Sequence, residues 1–258
     1  MTHSFTLRTG PGRDSEGGGE MIEEVYLIHD GYFELDGGML YYGVPKYFGQ
    51  KIWGRLNALL VREGERWILV ESGMGRLPER VRRYYPRRDE GRLIQFLEEM
   101  GVKREEVWGV VQTHLHLDHA GWASSFPNAR IYAQVEEIRY SFYPDKFQKG
   151  AYLPEQLQGL KFHPLYGEEE VVPGLRVIPT PGHTPGHQSV VVEKGGRRVV
   201  FTGDVTPTSL NMEKEWIVGV LYSPVEELKS LMRLKRMMGE GVTFIYSHGE
   251  EVQPGRIL

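Results

Sequence analysis

The chain contains no cysteine. That absence removes disulfides and thiolate-ligated metal sites, so any metal must be held by His, Asp or Glu. It also leaves no sign of an oxidising compartment. No uninterrupted apolar run approaches the roughly 18 residues of a membrane-spanning helix, and no membrane partner is expected. Charge of one sign is scarce as well. The formal net charge is −4, without the basic surplus that a phosphate backbone attracts, so no nucleic-acid partner is expected. The basic run over residues 80–88 reads as a solvated face. Residues 1–20 are polar and Gly-rich and lack the apolar stretch of a secretion signal. They read as a flexible tail before a single domain over residues 21–258, and a cytoplasmic location is expected.

What is present is an ordinary mixed pattern over 258 residues, enough to bury a sizeable core. Residues 24–29 read as a strand, broken at Asp36-Gly37-Gly38. Residues 57–61 and 67–70 read as a hairpin around Glu63-Gly64-Glu65. Residues 39–53 are aromatic and irregular, and could bury surface against a second copy in a homodimer. Leu93, Phe96, Leu97 and Met100 form the stripe of an amphipathic helix, with Gly101 in a capping position. Further strands are expected over 107–111, 171–178, 189–193, 198–201 and 242–246. Ser223-Pro224-Val225-Glu226 has the form of a capping box opening a helix to about residue 238. Periodicity alone supports mixed α and β, with no short internal repeat.

The chemistry sits just after the apolar runs. Thr113-His114-Leu115-His116-Leu117-Asp118-His119 follows one predicted strand. His183 follows another within Thr180-Pro181-Gly182-His183-Thr184-Pro185-Gly186-His187. Asp204 and His248 stand beyond two more. If the first segment is extended, His114, His116 and Asp118 face one side and His119 the other. Burying three imidazoles and a carboxylate within six residues is costly unless something compensates them, and a cation does so directly. Oxygen and imidazole ligands favour two divalent metal ions, zinc first, with iron and manganese left open by ligand type. Two such ions about 3.5–4 Å apart could share a hydroxide nucleophile and polarise a carbonyl or phosphoryl oxygen. His187 reads as a structural hydrogen-bonding residue. His3, His29 and His163 read as non-functional.

The set His114-x-His116-x-Asp118-His119 with His183, Asp204 and His248 resembles the metallo-β-lactamase superfamily. The likeness runs from about Val25 to His248. It implies an α+β fold, an αββα sandwich of two mixed sheets flanked by helices, with the site at one edge. It also implies that His114, His116 and His183 bind one metal, that Asp118, His119 and His248 bind the second, and that Asp204 bridges them. Within the superfamily, residues 180–189, residues 116–121, Gly43-Val44-Pro45-Lys46 and residues 203–208 look most like the N-acyl-homoserine-lactone hydrolase branch. That branch carries a tyrosine three residues after the bridging aspartate. Here the position is Pro207, with Tyr222 a possible substitute if its loop folds over the metals. The usual Asp-x-Gly after the second hairpin strand is Glu71-Ser72-Gly73.

The expected activity is therefore hydrolysis of a small lactone or carboxylic ester by a metal-bridging hydroxide, with Asp118 or Asp204 shuttling a proton to the leaving alkoxide. Tyr41, Tyr42, Phe48, Trp53, Trp122 and Trp216 are candidates to line an apolar acyl pocket. The alternatives are a thioesterase of the hydroxyacylglutathione hydrolase type, and hydrolysis of phosphotriesters or phosphodiesters. A redox or metal-free binding role is disfavoured because no ligand position is lost.

Overall fold

The computed structural model of the protein describes residues 22–258. The tail expected over residues 1–20, with His3, lies outside the described residues. Strands follow in chain order as β1 (Ile22–Asp36), β2 (Lys51–Glu63), β3 (Arg66–Val70), β4 (Arg87–Arg88), β5 (Val107–Val111), β6 (Arg130–Gln134) and β7 (Phe162–Leu165), then β8 (Glu169–Val172), β9 (Leu175–Pro179), β10 (Gln188–Lys194), β11 (Arg197–Phe201), β12 (Val242–Ile245) and β13 (Gly255–Arg256). They form two mixed sheets. One runs β13-β1-β2-β3-β5-β6-β7 with β4 beside β1, the other β12-β11-β10-β9-β8.

Both faces of each sheet are covered, so the central strands are apolar runs instead of alternating patterns. On β2, Leu59 and Val61 point between the sheets, where they meet Val177, Val190, Val192 and Phe201 of the other sheet. Their neighbours Ala58 and Leu60 point outward onto Leu93 and Leu97 of the helix Arg92–Glu99. On the second sheet, Val191 and Val200 face outward onto Leu231 and Leu234 of the helix Pro224–Lys235. The layers are therefore helix, sheet, sheet, helix, the expected αββα sandwich.

The expected hairpin is the antiparallel pair β2–β3. Residues 171–178, expected as one strand, are instead two, β8 and β9 paired antiparallel. Pro173 has no N–H for a ladder, and Gly174 adopts φ 86°, so the chain turns there. Ser223 accepts from Glu226 N–H, as its capping role requires. Strands β6 and β7 and the helix Val135–Phe142 were not expected from the pattern.

What positions the site is strand polarity. β3, β5 and β6 run parallel, as do β11 and β12, and β9 shares their direction because both β9 and β11 pair antiparallel with β10. Their C-terminal ends lie along one edge of each sheet, and every candidate residue stands just beyond such an end.

The same edge is tied down by an ion pair. The Asp30 carboxylate accepts from Met74 N–H at 3.0 Å, Gly75 N–H at 3.1 Å and Arg87 Nη2 at 3.2 Å. Arg87 Nη2 also donates to Asp30 O at 2.7 Å. Arg87, in the run read as a solvated face, is 3% exposed and Asp30 is fully buried. The basic run is thus corrected at this position: the Arg87 side chain turns inward to pair with the buried Asp30 carboxylate. Removing one partner of a buried pair strands the other charge, a loss of about 3–5 kcal/mol. Arg87→Ala is expected to lower stability by that amount in urea unfolding, against a near-neutral Arg88→Ala on the exposed neighbour.

Candidate metal centre

Beyond β5 the chain does not stay extended. His119 N–H and Ala120 N–H both donate to His116 O, at 3.0 and 3.1 Å. The turn carries the His119 ring back over His114, with ring centroids 4.0 Å apart. The expectation that His119 faces away from His114 and His116 is corrected by this turn. One loop then contributes to two groups of side chains that could each hold a metal ion. The first is His114, His116 and His183, the second Asp118, His119, Asp204 and His248, with ligand atoms within 4.8 Å of one another in each. All seven expected residues are brought together, from the loops after β5, β9, β11 and β12.

In the first group, His183 Nδ1 lies 2.6 Å from Val220 O, so that nitrogen carries the proton and Nε2 presents a lone pair. Nε2 sits 3.1 Å from His114 Nε2 and 2.9 Å from His116 Nδ1. Burial holds His114 and His116 well below the usual histidine range, as does the charge of neighbouring imidazoles, and His183 is lowered as well. Three imidazole nitrogens thus converge on one another in a buried site. In the second group, His119 Nδ1 is held by Glu71 Oε2 at 2.6 Å, and His248 Nδ1 lies 3.1 Å from Arg55 O. Their Nε2 atoms each lie 3.5 Å from Asp118 Oδ2 and 3.4 Å from Asp204 Oδ1. Burial opposes charge on His119 and His248, but the carboxylates outweigh it and raise both. Asp204 reaches the first group too, with Oδ2 3.5 Å from His183 Nε2. The donor set therefore fits cations: lone pairs face lone pairs and carboxylates in a buried pocket, an arrangement that positive charge alone relieves.

Several supports were not foreseen. Glu137, on the helix Val135–Phe142, is fully buried. It accepts from Leu115 N–H and Tyr152 Oη, both at 2.9 Å, and from Thr184 Oγ1 at 2.5 Å. It thereby ties the loop of His114 and His116 to the loop of His183. A Cβ at Gly186 would come within 2.1 Å of Glu137 N, which is why that loop needs glycine there. Gln148 Nε2 donates to His183 O at 2.6 Å. Glu71 also accepts from Thr113 N–H at 2.6 Å, a use of the longer acid in the Glu-Ser-Gly variant. His187 fills the structural role expected of it. Its Nδ1 donates to Thr180 O and its Nε2 accepts from Asp204 N–H, both at 3.0 Å, and burial with the charge of His183 lowers it to about 3.

The centre opens into a small cleft, with room for about 50 Å³ of water, lined by His116, Asp118, His183, Asp204 and His248 at its floor. Its walls include Phe33, Leu35, Leu40, Tyr85, Pro207 and Val220. None of the six aromatic residues expected to line a pocket is among the lining residues. The Tyr41 ring packs instead on Tyr47 and Trp216, with centroids 4.3 and 5.9 Å away, and Tyr42 and Phe48 are exposed. Tyr222 does not cover the centre either; its ring stacks on Phe147 at 6.5 Å. His29 accepts from Gly31 N–H and His163 packs on Tyr132, both away from the cleft.

A profile of the metallo-beta-lactamase superfamily matches residues 52–249. The chain belongs to that superfamily. Among relatives of this superfamily member, an N-acyl homoserine lactonase of Bacillus cereus is 35% identical over 170 residues, 65% of this chain and 66% of the relative. The N-acyl homoserine lactonase AttM of Rhizobium radiobacter is 36% identical over 157 residues, 57% of this chain and 59% of the relative. These alignments span somewhat less than two thirds of each relative's length. A crystal structure of a quorum-quenching N-acyl homoserine lactone lactonase superposes with a TM-score of 0.76 at 27% identity, covering 90% of this chain and 95% of that one.

Glu137→Ala would leave a buried amide and two hydroxyls without their acceptor, at about 1–3 kcal/mol for each unsatisfied group. The variant is expected to unfold at clearly lower urea concentration, with Glu137→Gln intermediate because it keeps one acceptor oxygen.

Proposed function

We propose that this chain is a dinuclear metal-dependent hydrolase of lactones or other carboxylic esters. His114, His116 and His183 hold one cation, Asp118, His119 and His248 a second, and Asp204 reaches both. The observation that carries the reading is the pair of buried ligand groups, joined through one carboxylate, at the floor of an apolar cleft. Both sheets supply ligands, and we read the described residues as one domain. With imidazole and carboxylate donors only, zinc is the preferred ion. The names of the relatives, N-acyl homoserine lactonases, support a lactone as substrate.

When bound, the cations supply Lewis acidity, which makes a water a better nucleophile and draws charge from an ester carbonyl. The residues of the chain do the rest. Val220 O, Glu71 and Arg55 O fix the tautomers of His183, His119 and His248, so their Nε2 atoms point inward with no reorganisation. Asp118, at the cleft floor, takes the proton that water loses and returns it to the departing alkoxide. The apolar walls exclude water from an acyl group.

Of the competing readings, a glutathione thioester or a phosphodiester brings negative charge into the cleft. No Lys or Arg is among the residues that line it, so beyond the cations themselves neither anion would find a charged side chain to recognise it. A neutral ester would not need one.

Purified protein is expected to carry close to two transition-metal ions per chain by elemental analysis. His116→Ala and Asp204→Ala should each reduce lactone turnover by at least about a thousandfold, in keeping with the loss of an electrostatic catalytic element, and leave the far-UV circular dichroism unchanged. In a panel of lactones, aryl esters, S-acyl glutathione and phosphotriesters, lactones and esters should lead. Strong turnover of S-acyl glutathione with inert lactones would falsify this reading.

Acidification offers a separate check. Metal must displace protons from its ligands, and the free second group holds protons more tightly, since His119 and His248 are raised whereas His114 and His116 are lowered. As pH falls, protons therefore compete first at the second group. Metal content measured after equilibration at stepped pH should drop from two ions towards one before the last is lost. A single concerted loss would contradict the order drawn from these proton affinities.

A further inference from the structure

Setting aside the ligands, the cleft is walled by side chains that cannot donate a hydrogen bond, with one exception, Tyr85. Pro207 has no N–H, and its carbonyl is already taken by His248 N–H at 2.8 Å. The Tyr85 ring is half-buried and packs on Phe33, with centroids 6.4 Å apart. Among the described residues its hydroxyl has no hydrogen-bond partner.

The segment that carries Tyr85 is well anchored. Its N–H donates to Arg82 O at 3.1 Å, and the carbonyl of the next residue, Pro86, accepts from Glu34 N–H at 2.9 Å. Two residues on, Arg87 is locked in the buried pair with Asp30. A side chain held this way is pre-organised, so its hydroxyl can meet a substrate without loop ordering.

Ester cleavage develops negative charge in two places, the carbonyl oxygen and the departing alkoxy oxygen. A bound cation would serve the first. At the second, Asp118 supplies the proton, and apart from the ligands Tyr85 is the one side chain lining the cleft that can donate a hydrogen bond. We propose that Tyr85 donates a hydrogen bond to the alkoxy oxygen of the ester as its bond to the carbonyl carbon breaks, a proposal that rests on the ester hydrolase reading above. The electron pair of the C–O bond goes to the alkoxy oxygen, and the proton that completes the alcohol is the one water gave to Asp118. Tyr85 keeps its own. Burial raises its phenol above the usual value, which suits a donor that keeps its proton. The substrate class that benefits is the neutral ester or lactone with a poor alkoxide leaving group.

The test compares Tyr85→Phe with the unmodified protein, each loaded with metal, on an alkyl lactone and on a nitrophenyl ester of the same acyl group. A hydrogen bond to a developing charge is worth about 1.5–3 kcal/mol, so kcat on the lactone should fall about 10- to 100-fold with KM little changed. The nitrophenyl ester, whose leaving group needs no help, should lose less than about threefold, the small change expected of a hydrogen bond to weak charge. Both proteins should hold the same metal content and thermal midpoint. Equal losses on both esters, no loss on either, or loss of metal in the variant would assign Tyr85 a structural role and overturn the proposal. If the unmodified, fully loaded protein cleaves neither ester, the hydrolase reading itself fails. Lactone turnover that survives Tyr85→Phe unchanged removes only Tyr85.

Discussion

Seven polar side chains meet at the edge of two sheets with their lone pairs turned toward one another, and this crowding is the constraint on which the rest of the structure depends. His183 Nε2 faces two other imidazole nitrogens at 3.1 and 2.9 Å. His119 and His248 face two carboxylates at about the same spacing, 3.4–3.5 Å. Out of water such an arrangement is unfavourable unless positive charge sits within it. The raised proton affinity of His119 and His248 is the same demand expressed without a metal.

Holding that arrangement takes a second layer of groups, each of which closes off one nitrogen or one amide. Glu71, Val220 O and Arg55 O fix three imidazoles by their outer nitrogens. Glu137 accepts from both histidine-bearing loops at once. His187, neutral because it is buried, places the Asp204 backbone by accepting its N–H. Glu71, Arg55, Glu137 and His187 are themselves buried, so the ligands have little freedom to rearrange. The sandwich beneath them supplies rigidity for a simple reason: both faces of the central strands are packed, and loops leaving the C-terminal ends of parallel strands emerge on one side.

The cleft above the centre adds selectivity of a different kind. Its walls are apolar and uncharged apart from the ligands, so the only strong interactions inside it occur at the floor. A substrate must then be recognised by one polar group presented to the centre and by apolar surface elsewhere, which is the chemistry of an acylated ester or lactone. Tyr85 is the single departure from that wall, and it comes from a segment whose composition suggested only solvent exposure.

The sequence by itself determined the ligand types, their order and the class of chemistry. Metal ligation needs particular side chains at short spacing, as in His114, His116, Asp118 and His119, and short spacing is written locally. The strand before that loop and the β2–β3 hairpin were legible for the same reason, because apolar runs bounded by Gly and charged residues need no distant partner to be recognised. Strand β7 was not, since Phe162-His163-Pro164-Leu165 carries a proline and a histidine in four residues, and its pairing with β6 supplies what its composition does not. The turn at 116–119, the buried roles of Glu71, Glu137 and Arg87, the outward placement of Tyr42, Phe48 and Tyr222, and the arrival of Tyr85 in the cleft were decided by tertiary structure alone. A charged or aromatic side chain reads the same in sequence whether it faces water or the interior, and only packing across elements far apart in the chain selects between the two.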